Sequence, residues 1–482
     1  MDLDHGACFR AISQRDARFD GRFFTGVKTT GIYCRPICPA RTPRSENVVF
    51  FLTAAAAQEA GFRPCLRCRP ETAPNLGAWR GTSNSVSRAL ALIELGALDE
   101  ANMDVLAGRL GLGERQLRRL FRQHLGASPV AVAQTHRVLL AKQLIHESRL
   151  PMAEVAFAAG FGSIRRFNET FLALFGCAPG ELRRASKPDV SAGPRGEIRL
   201  MLRYQPPYDW AAMLEFLHQR AIPGMEVVTA AAYARSVQLD GVQGTILVEH
   251  GGGNALRATV RFPKLSALPT IIARLRRVFD LAADPVAIAT HLAQDPVLEP
   301  LVKARPGLRV PGAWDGFELA IRAVLGQQIT VRAAVRLAGR LVGTYGEVLT
   351  KADGEITRVF PRPEALVTAD LASLGMPRSR AAALSAIAAA ASADAHFFDA
   401  TVDLDDAIRR LRSIRGIGEW TAHYIALRQL REPDAFPAAD IGLMRAMAAH
   451  KGREYTSSEL LDRASRWRPW RAYAAQHLWA SH

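Results

Sequence analysis

Twice between residues 102 and 171 the apolar positions recur at helical spacing, break at glycine and resume. Asn102-Met103-Asp104 supplies helix-start residues ahead of Val105, Leu106, Ala107 and Leu110, and Gly111 permits a sharp turn. The segment 114–122 then places Leu117, Leu120 and Phe121 on one face, with Arg115, Arg118, Arg119 and Arg122 largely on the other. About 48 residues later the pattern returns. Met152, Val155, Ala156 and Ala159 predict a helix, Gly160-Phe161-Gly162-Ser163 a turn, and 164–171 a second helix. The spacing therefore predicts two helix-turn-helix units. The style changes after 185–196, a stretch with two Pro, two Gly and no apolar period, which reads as a flexible linker. A loop-like stretch at 70–81 precedes the first helical unit. Segments 198–204, 244–249 and 255–262 have strand character, with a helix at 210–220 between them. From about 268 the pattern is helical almost to the end, including a long helix at 317–325 continuing through 330–345.

Composition adds a partner class. Of 482 residues, 62 are Lys or Arg and 46 Asp or Glu, a net charge of +16, so an anionic partner is favoured. Both halves of the chain are basic, so contact with a polyanion need not be confined to one of them. With 49% apolar and 22% charged residues the chain has the balance of packed domains rather than of a disordered polymer. No apolar run approaches a membrane span, no basic amphipathic anchor is evident, and the start is acidic, so a cytoplasmic protein without membrane contact is expected.

Four of the six cysteines form two close pairs, Cys34-x3-Cys38 and Cys65-x2-Cys68. Such spacing lets four thiolates converge on one tetrahedral ion, and Zn²⁺ is the usual occupant of an all-sulfur site. Cys8 and Cys177 have no partner at ligand spacing. The stretch from Thr29 to Arg41, with Gly61-Phe62-Arg63-Pro64-Cys65-Leu66-Arg67-Cys68, resembles the N-terminal domain of the Ada adaptive-response proteins over about residues 1–79. The resemblance implies that Cys34 accepts a methyl group from a DNA methylphosphotriester, and that Thr30 and Arg41 contact the DNA backbone. A metal-bound thiolate stays ionised and nucleophilic at neutral pH. No Pro-Cys-His-Arg segment occurs, so the guanine-repair methyltransferase domain of full Ada proteins is not expected.

The paired helical units, with Ala158-Ala159-Gly160-Phe161 and Phe175-Gly176-Cys177-Ala178-Pro179, resemble the AraC-type DNA-binding domain over about 84–184. Its second helices enter major grooves. Arg115, Gln116, Arg118 and Arg119 in one unit, and Ser163, Arg165 and Arg166 in the other, are the candidate DNA contacts. Two such helices in one chain can read successive grooves without a dimer, so a monomer is expected.

Late in the chain, 411–422 reads as helix, Gly-x-Gly hairpin, helix, and Phe436-Pro437-Ala438-Ala439-Asp440 follows 20 residues after Trp420. The amides opening the second helix can point at a DNA phosphate. With Ala323-Val324-Leu325-Gly326-Gln327-Gln328 and the aromatic ending around Trp467–Trp479, this resembles the AlkA-type helix-hairpin-helix 3-methyladenine DNA glycosylases from about 197 to 482. The resemblance implies Asp440 as the catalytic carboxylate and Trp420, Tyr424, Trp479 and Gln327 as the base pocket. It implies Gly416, Ile417, Gly418, Thr421 and Gln328 as DNA contacts, and a monovalent cation at the hairpin turn. Gln328 is polar where the family places an apolar wedge. Relatives that also cut the strand carry a Lys where this chain has Trp420, so a monofunctional glycosylase is expected.

The expected architecture is multidomain α+β: a zinc-bound α/β domain (1–79), an all-α double helix-turn-helix domain (80–187), a small α+β domain (197–305) and an all-α helix-hairpin-helix domain (306–482) packed against it. The expected function is an alkylation-damage sensor and transcriptional regulator joined to a glycosylase for alkylated purines. Its partners would be double-stranded DNA, alkylated and promoter, with RNA polymerase a further one. The competing expectation is a regulator whose glycosylase fold is inactive.

Overall fold

A computed structural model describes residues 3–74, 84–98, 102–185, 196–399, 403–451 and 453–481. Residues 75–81 of the expected loop and 186–195 of the expected linker lie outside the described residues. Near the start, β1 (Phe24–Val27), β2 (Ile32–Cys34), β3 (Val48–Phe51) and β4 (Arg63–Pro64) form a sheet in the order β3-β1-β2-β4. β2 and β4 run parallel, with Tyr33 opposite Pro64. That register brings Cys34, the last residue of β2, and Cys65, the residue after β4, to the same end of the sheet. Gly26 on β1 lies where a Cβ would come within 2.7 Å of the Phe51 ring, so only glycine fits between Phe51 and Phe62.

Both helix-turn-helix units form. In the first, Met103–Arg109 turns at Gly111 into Glu114–Leu125; in the second, Met152–Ala158 turns at Gly160 into Ile164–Phe175. Gly111 and Gly160 have φ of +64° and +82°, a conformation glycine adopts without steric cost. The 19-residue helix Pro129–Glu147 joins the units. It also holds the zinc-type domain. Lys142 Nζ, wholly buried, donates to Glu71 Oε2 at 2.8 Å and to the Cys65 carbonyl at 3.0 Å.

The C-terminal half begins with a five-stranded antiparallel sheet: β5 (Ile198–Arg203), β6 (Glu226–Val228), β7 (Ala232–Leu239), β8 (Val242–Gly252) and β9 (Ala255–Arg261), in the order β5-β9-β8-β7-β6. The sequence pattern indicated three of these strands; β6 and β7 were not anticipated. β5 is an edge, and the long helix covers it: Met201 N donates to Glu147 Oε2 (3.1 Å) and its carbonyl accepts from Gln143 Nε2 (3.0 Å). Pairing an edge strand in this way removes its tendency to recruit other chains. One apolar core runs from Val138 of the joining helix and Phe167 and Phe171 of the second helix-turn-helix unit into Leu200, Val248 and Val260 of the sheet.

Two features of the helical remainder differ from expectation. The long helix at 317–345 is broken: Gly316–Leu325 and Val331–Tyr345 are separate helices, and Gln328 between them has φ +59°. Thr330 starts the second by accepting from Ala333 N. A hairpin, β10 (Val348–Asp353) and β11 (Ile356–Arg358), interrupts the helices, turning at Asp353-Gly354. It lies on the sheet, where Thr357 N donates to the Gly224 carbonyl (2.8 Å). The helices Pro285–Leu292 and Leu298–Ala304 share a core with the chain's last helices, through Ile288, Leu298, Phe436, Trp467 and Leu478.

Two expectations concern stability. Removing one partner of a buried pair leaves the other charge unpaired, at a cost of about 3–5 kcal/mol. Lys142→Met should therefore lower the melting temperature clearly, and Lys142→Met with Glu71→Leu should recover part of the loss. The second concerns acid. Burial, with Arg305 nearby, pushes His477 down to about 4 from its ordinary 6.5. The unfolded chain then binds a proton that the folded chain refuses. Stability is full above about pH 6.5 and is lost as pH falls toward 4. His136 and His146 are pushed down to about 4 by burial as well, so His477→Gln should reduce that dependence in thermal melts without abolishing it.

Candidate functional site

The helices Trp210–His218, Gly316–Leu325, Val331–Tyr345, Glu419–Arg428 and Arg471–Trp479, with the loop bearing Asp440, contribute to the wall of the glycosylase-type cavity. Leu404–Arg412 leads into the hairpin and Glu419–Arg428 leaves it. Gly416 has φ +93°, and a Cβ there would meet Ala383 Cβ at 2.3 Å, so the turn and the close packing both demand glycine. Gly418 has φ −83° and open space where its Cβ would lie. Neither backbone conformation nor packing within the chain therefore requires glycine at 418. The Ile417 side chain is buried, which leaves backbone groups as its means of contact.

Trp420, Tyr424 and Arg428 follow at intervals of four along one helix and share a face. Trp420 and Tyr424 stack with centroids 5.4 Å apart and planes at 14°; Trp479, from the final helix Arg471–Trp479, meets Tyr424 edge-on at 6.5 Å. Asp440 sits between the two tryptophans. Trp420 Nε1 donates to its Oδ2 at 2.7 Å and Trp479 Nε1 to its Oδ1 at 2.9 Å, while Leu443 N also donates to Oδ1. A carboxylate oxygen has two acceptor sites, so this arrangement fixes the group and leaves it capacity toward the cavity. Gly442 makes the approach possible, since a Cβ there would lie 3.0 Å from Asp440 Oδ1 and 3.4 Å from the Trp479 ring.

The cavity holds about 560 Å³, with Trp420, Tyr424, Asp440, Trp479, Phe216 and Arg428 in its wall. Phe216, Arg220 and Arg428 were not anticipated. The spacing of four from Tyr424 was a signal for Arg428; nothing in the sequence places Phe216 or Arg220 there. The Arg428 guanidinium lies 4.9 Å from the Tyr424 ring and 4.4 Å from Phe216. Burial alone would raise the Tyr424 phenol, but Arg428 and Arg220 outweigh it and hold it below its ordinary value.

Other expected residues fall differently. Gln327 lies outside the cavity wall. Its Nε2 donates to the Gly416 carbonyl and to Thr421 Oγ1, both at 3.0 Å, and Arg380 donates to its carbonyl at 2.6 Å. Thr421 is buried, and its side chain ties the helix after the hairpin to Gln327. Gln328 is exposed on its left-handed turn.

In the first domain the four thiols of Cys34, Cys38, Cys65 and Cys68 lie within 4.8 Å of one another. Four zinc–sulfur bonds of about 2.3 Å need sulfurs a little under 4 Å apart, so the donor set fits one ion. Arg35 N donates to Cys68 Sγ at 3.3 Å, and the buried Arg35 guanidinium pairs with Asp20. Cys65 and Cys68 are buried, whereas Cys34 and Cys38 are half-buried. Cys34 opens to a cavity of about 440 Å³ whose wall includes Thr30, Arg41, Arg63, Arg67 and Phe175. The expected Thr30 and Arg41 are brought to it; Arg63 and Arg67 join them.

On the recognition helices Arg115, Gln116, Arg118, Arg119, Arg165 and Arg166 are exposed. Arg118 pairs with Glu114 and Arg165 with Glu169, one turn away. Ser163 caps its helix, accepting from Arg166 N at 3.2 Å.

Comparison with known proteins matches these parts in order. Family models match as "Metal binding domain of Ada" at 7–71, "Helix-turn-helix domain" at 106–185, "AlkA N-terminal domain" at 199–315 and "HhH-GPD superfamily base excision DNA repair protein" at 321–471. A "Probable bifunctional transcriptional activator/DNA repair enzyme AlkA" of Mycobacterium tuberculosis is 41% identical over 483 aligned residues, covering 100% of this chain and 97% of that protein. The chain belongs to this bifunctional AlkA family. "DNA-3-methyladenine glycosylase 2" of Escherichia coli is 35% identical over 285 residues, covering 58% of this chain and 95% of that protein. A solved structure, "3-methyladenine dna-glycosylase from Archaeoglobus fulgidus", has the same fold over 58% of this chain and 97% of its own, with a TM-score of 0.53 and 22% identity.

The Asp440–Trp420 bond is open to test. Trp420→Phe keeps the ring and removes the donor to the carboxylate. A hydrogen bond to a charged group contributes about 1.5–3 kcal/mol, so base release should slow by about 10- to 100-fold. Single-turnover kinetics would measure it.

Proposed function

We propose that this bifunctional AlkA-family chain senses DNA alkylation, regulates transcription and excises alkylated purines as a monofunctional glycosylase. The observation that carries the enzymatic part is the Asp440 carboxylate, fixed between two indole donors in an aromatic-walled cavity. A flipped-out purine would stack on the rings of Trp420, Tyr424 and Trp479. As its N-glycosidic bond breaks, the bonding electrons go to the base and the sugar carbon becomes cationic. Asp440 stabilises that cation and helps to orient the attacking water. An N-alkylated purine is already positively charged and leaves without strong acid catalysis. Trp420 occupies the place where strand-cutting relatives carry a lysine, so no Schiff base forms and the reaction stops at hydrolysis. Exposed backbone at Gly418 would receive a DNA phosphate, with a monovalent cation at the turn, and Gln328 would enter the gap left in the duplex.

In the sensor, Cys34, Cys38, Cys65 and Cys68 would hold one zinc ion, which keeps the sulfurs ionised. Cys34, half-buried and beside Arg41, Arg63 and Arg67, is the methyl acceptor. A bond forms from its sulfur to the methyl carbon, the methyl–oxygen bond of the phosphotriester breaks, and the phosphodiester leaves as an anion. The site loses a negative charge, and repulsion from DNA phosphate falls. The helices carrying Arg115, Gln116, Arg119 and Arg166 would then read promoter DNA in the major groove as a monomer, with RNA polymerase the further partner. Among the described residues no helix is long and apolar enough to cross a membrane.

Incubation with methylated duplex DNA should release free 3-methyladenine, and Asp440→Asn should slow release by about 10²–10³-fold, the scale of losing one preorganised electrostatic group. No release by the unaltered chain overturns the enzymatic reading. Zinc-loaded protein exposed to methylphosphotriester DNA should gain one methyl, on Cys34 by mass spectrometry; Cys34→Ser should gain none. Absence of the adduct in the unaltered protein would leave a purely structural metal site.

A further inference from the structure

The segment from Glu432 to Asp440 carries the proposed catalytic carboxylate. It is a run of short turns rather than a helix or strand: Ala435 N donates to the Glu432 carbonyl, Ala438 N to that of Phe436 and Asp440 N to that of Pro437. Such a segment is held by its anchors. Its far end is fixed by Trp420 and Trp479 at Asp440. Its middle is fixed by the final helix, where Arg471 pairs with Asp434 at 2.6 and 2.9 Å and Ala472 N donates to the Pro433 carbonyl at 2.8 Å. The anchor at its near end comes from another domain. Arg88, on the helix Asn84–Glu94 that opens the helix-turn-helix domain, donates through Nε to Glu432 Oε1 at 2.7 Å. The two side chains are each 5% exposed, and 344 residues separate them in sequence. Asp434 and Asp403 lie close enough to Glu432 to add negative charge, so a buried carboxylate at this point depends on the arginine.

We infer that Arg88 of the regulator half is a positioning residue for the glycosylase, holding the loop that presents Asp440 through its buried pair with Glu432. The inference rests on the reading of Asp440 as the catalytic carboxylate. Without Arg88, Glu432 is an unpaired buried acid, which must take up a proton or move toward water. Either change loosens the near end of a segment whose other end needs placement to within a fraction of an ångström. The regulator half and the glycosylase half are then energetically linked, because whatever draws the Asn84–Glu94 helix away also releases the loop. A second contact between the halves supplies the control. Arg109 pairs with Asp399 at 2.5 Å, far along the chain from the loop.

The test uses the full chain with zinc present. Misplacement of a catalytic group by about 1 Å costs on the order of 10²-fold, so partial loosening in Arg88→Met should lower kcat by about tenfold or more, with KM changed less than about twofold. Arg88→Lys should restore part of kcat, and Arg109→Met should leave it unchanged. Hydrogen exchange should quicken at 432–440 in Arg88→Met and not in Arg109→Met. Should Arg88→Met fail to fold, Glu432→Gln removes the same ion pair and should lower kcat in the same way. Unaltered kcat and exchange in a folded Arg88→Met overturn the inference, as do equal losses in Arg88→Met and Arg109→Met, which would indicate domain docking alone. If the unaltered chain releases no base, the proposed activity fails, and the exchange measurement still decides whether Arg88 holds the loop.

Discussion

A cation buried in a protein must find an acceptor, and in this chain the acceptor repeatedly lies in another domain. Lys142 of the helix between the two helix-turn-helix units ends on Glu71 and on the backbone carbonyl of Cys65, a candidate metal ligand. Arg88 ends on Glu432. Arg309 ends on the carbonyls of Gln205 and Pro207, joining the start of the sheet domain to the helical body. Each pair is directional and intolerant of displacement, because water cannot replace a lost partner at low exposure. An apolar cluster also spans two of the domains, and the charges add direction to the docking that apolar contact alone lacks.

The same logic operates at the two sites. At the zinc-type site, parallel pairing of β2 with β4 carries Cys34 and Cys65 to one end of the sheet, and the buried Arg35 fixes the loop that bears the first cysteine pair. Four sulfurs in that space cannot all carry charge without a cation. At the glycosylase-type site, two indole donors hold a carboxylate where it would face a developing positive charge. Neither donor is a neighbour of Asp440 in sequence. One lies on the helix after the hairpin and the other on the last helix, so the carboxylate also records whether the helical domain has closed correctly.

Much of this was legible from local pattern. The cysteine spacings indicated the metal site because a tetrahedral ion needs ligands within reach on short loops. Helical periodicity with glycine at the turn indicated both recognition helices, and their exposed arginines followed from the same period. The hairpin glycines and the aspartate 20 residues beyond Trp420 marked the candidate site, although only Gly416 has a positive φ. What escaped has a physical cause in each instance. The helix expected across 317–345 breaks because Gln328 takes a left-handed turn and Thr330 caps a new helix, and a continuous apolar period does not reveal that. Gln327 and Thr421 were expected to face a base and DNA. They bond to one another instead, a preference that exists only once the two helices are side by side.

The sequence by itself determined the parts and their order, the four sulfurs, the two helix-turn-helix units and the candidate carboxylate, because each depends on spacing within a few turns of chain. Tertiary structure alone decided which partners those groups have. Trp479 reaches Asp440 across 39 residues, Arg428 turns toward the cavity wall beside Phe216, and Arg88 reaches Glu432 across 344. Periodicity states which face a side chain occupies. It does not state what that face will meet, since that is settled by packing between elements distant in the chain.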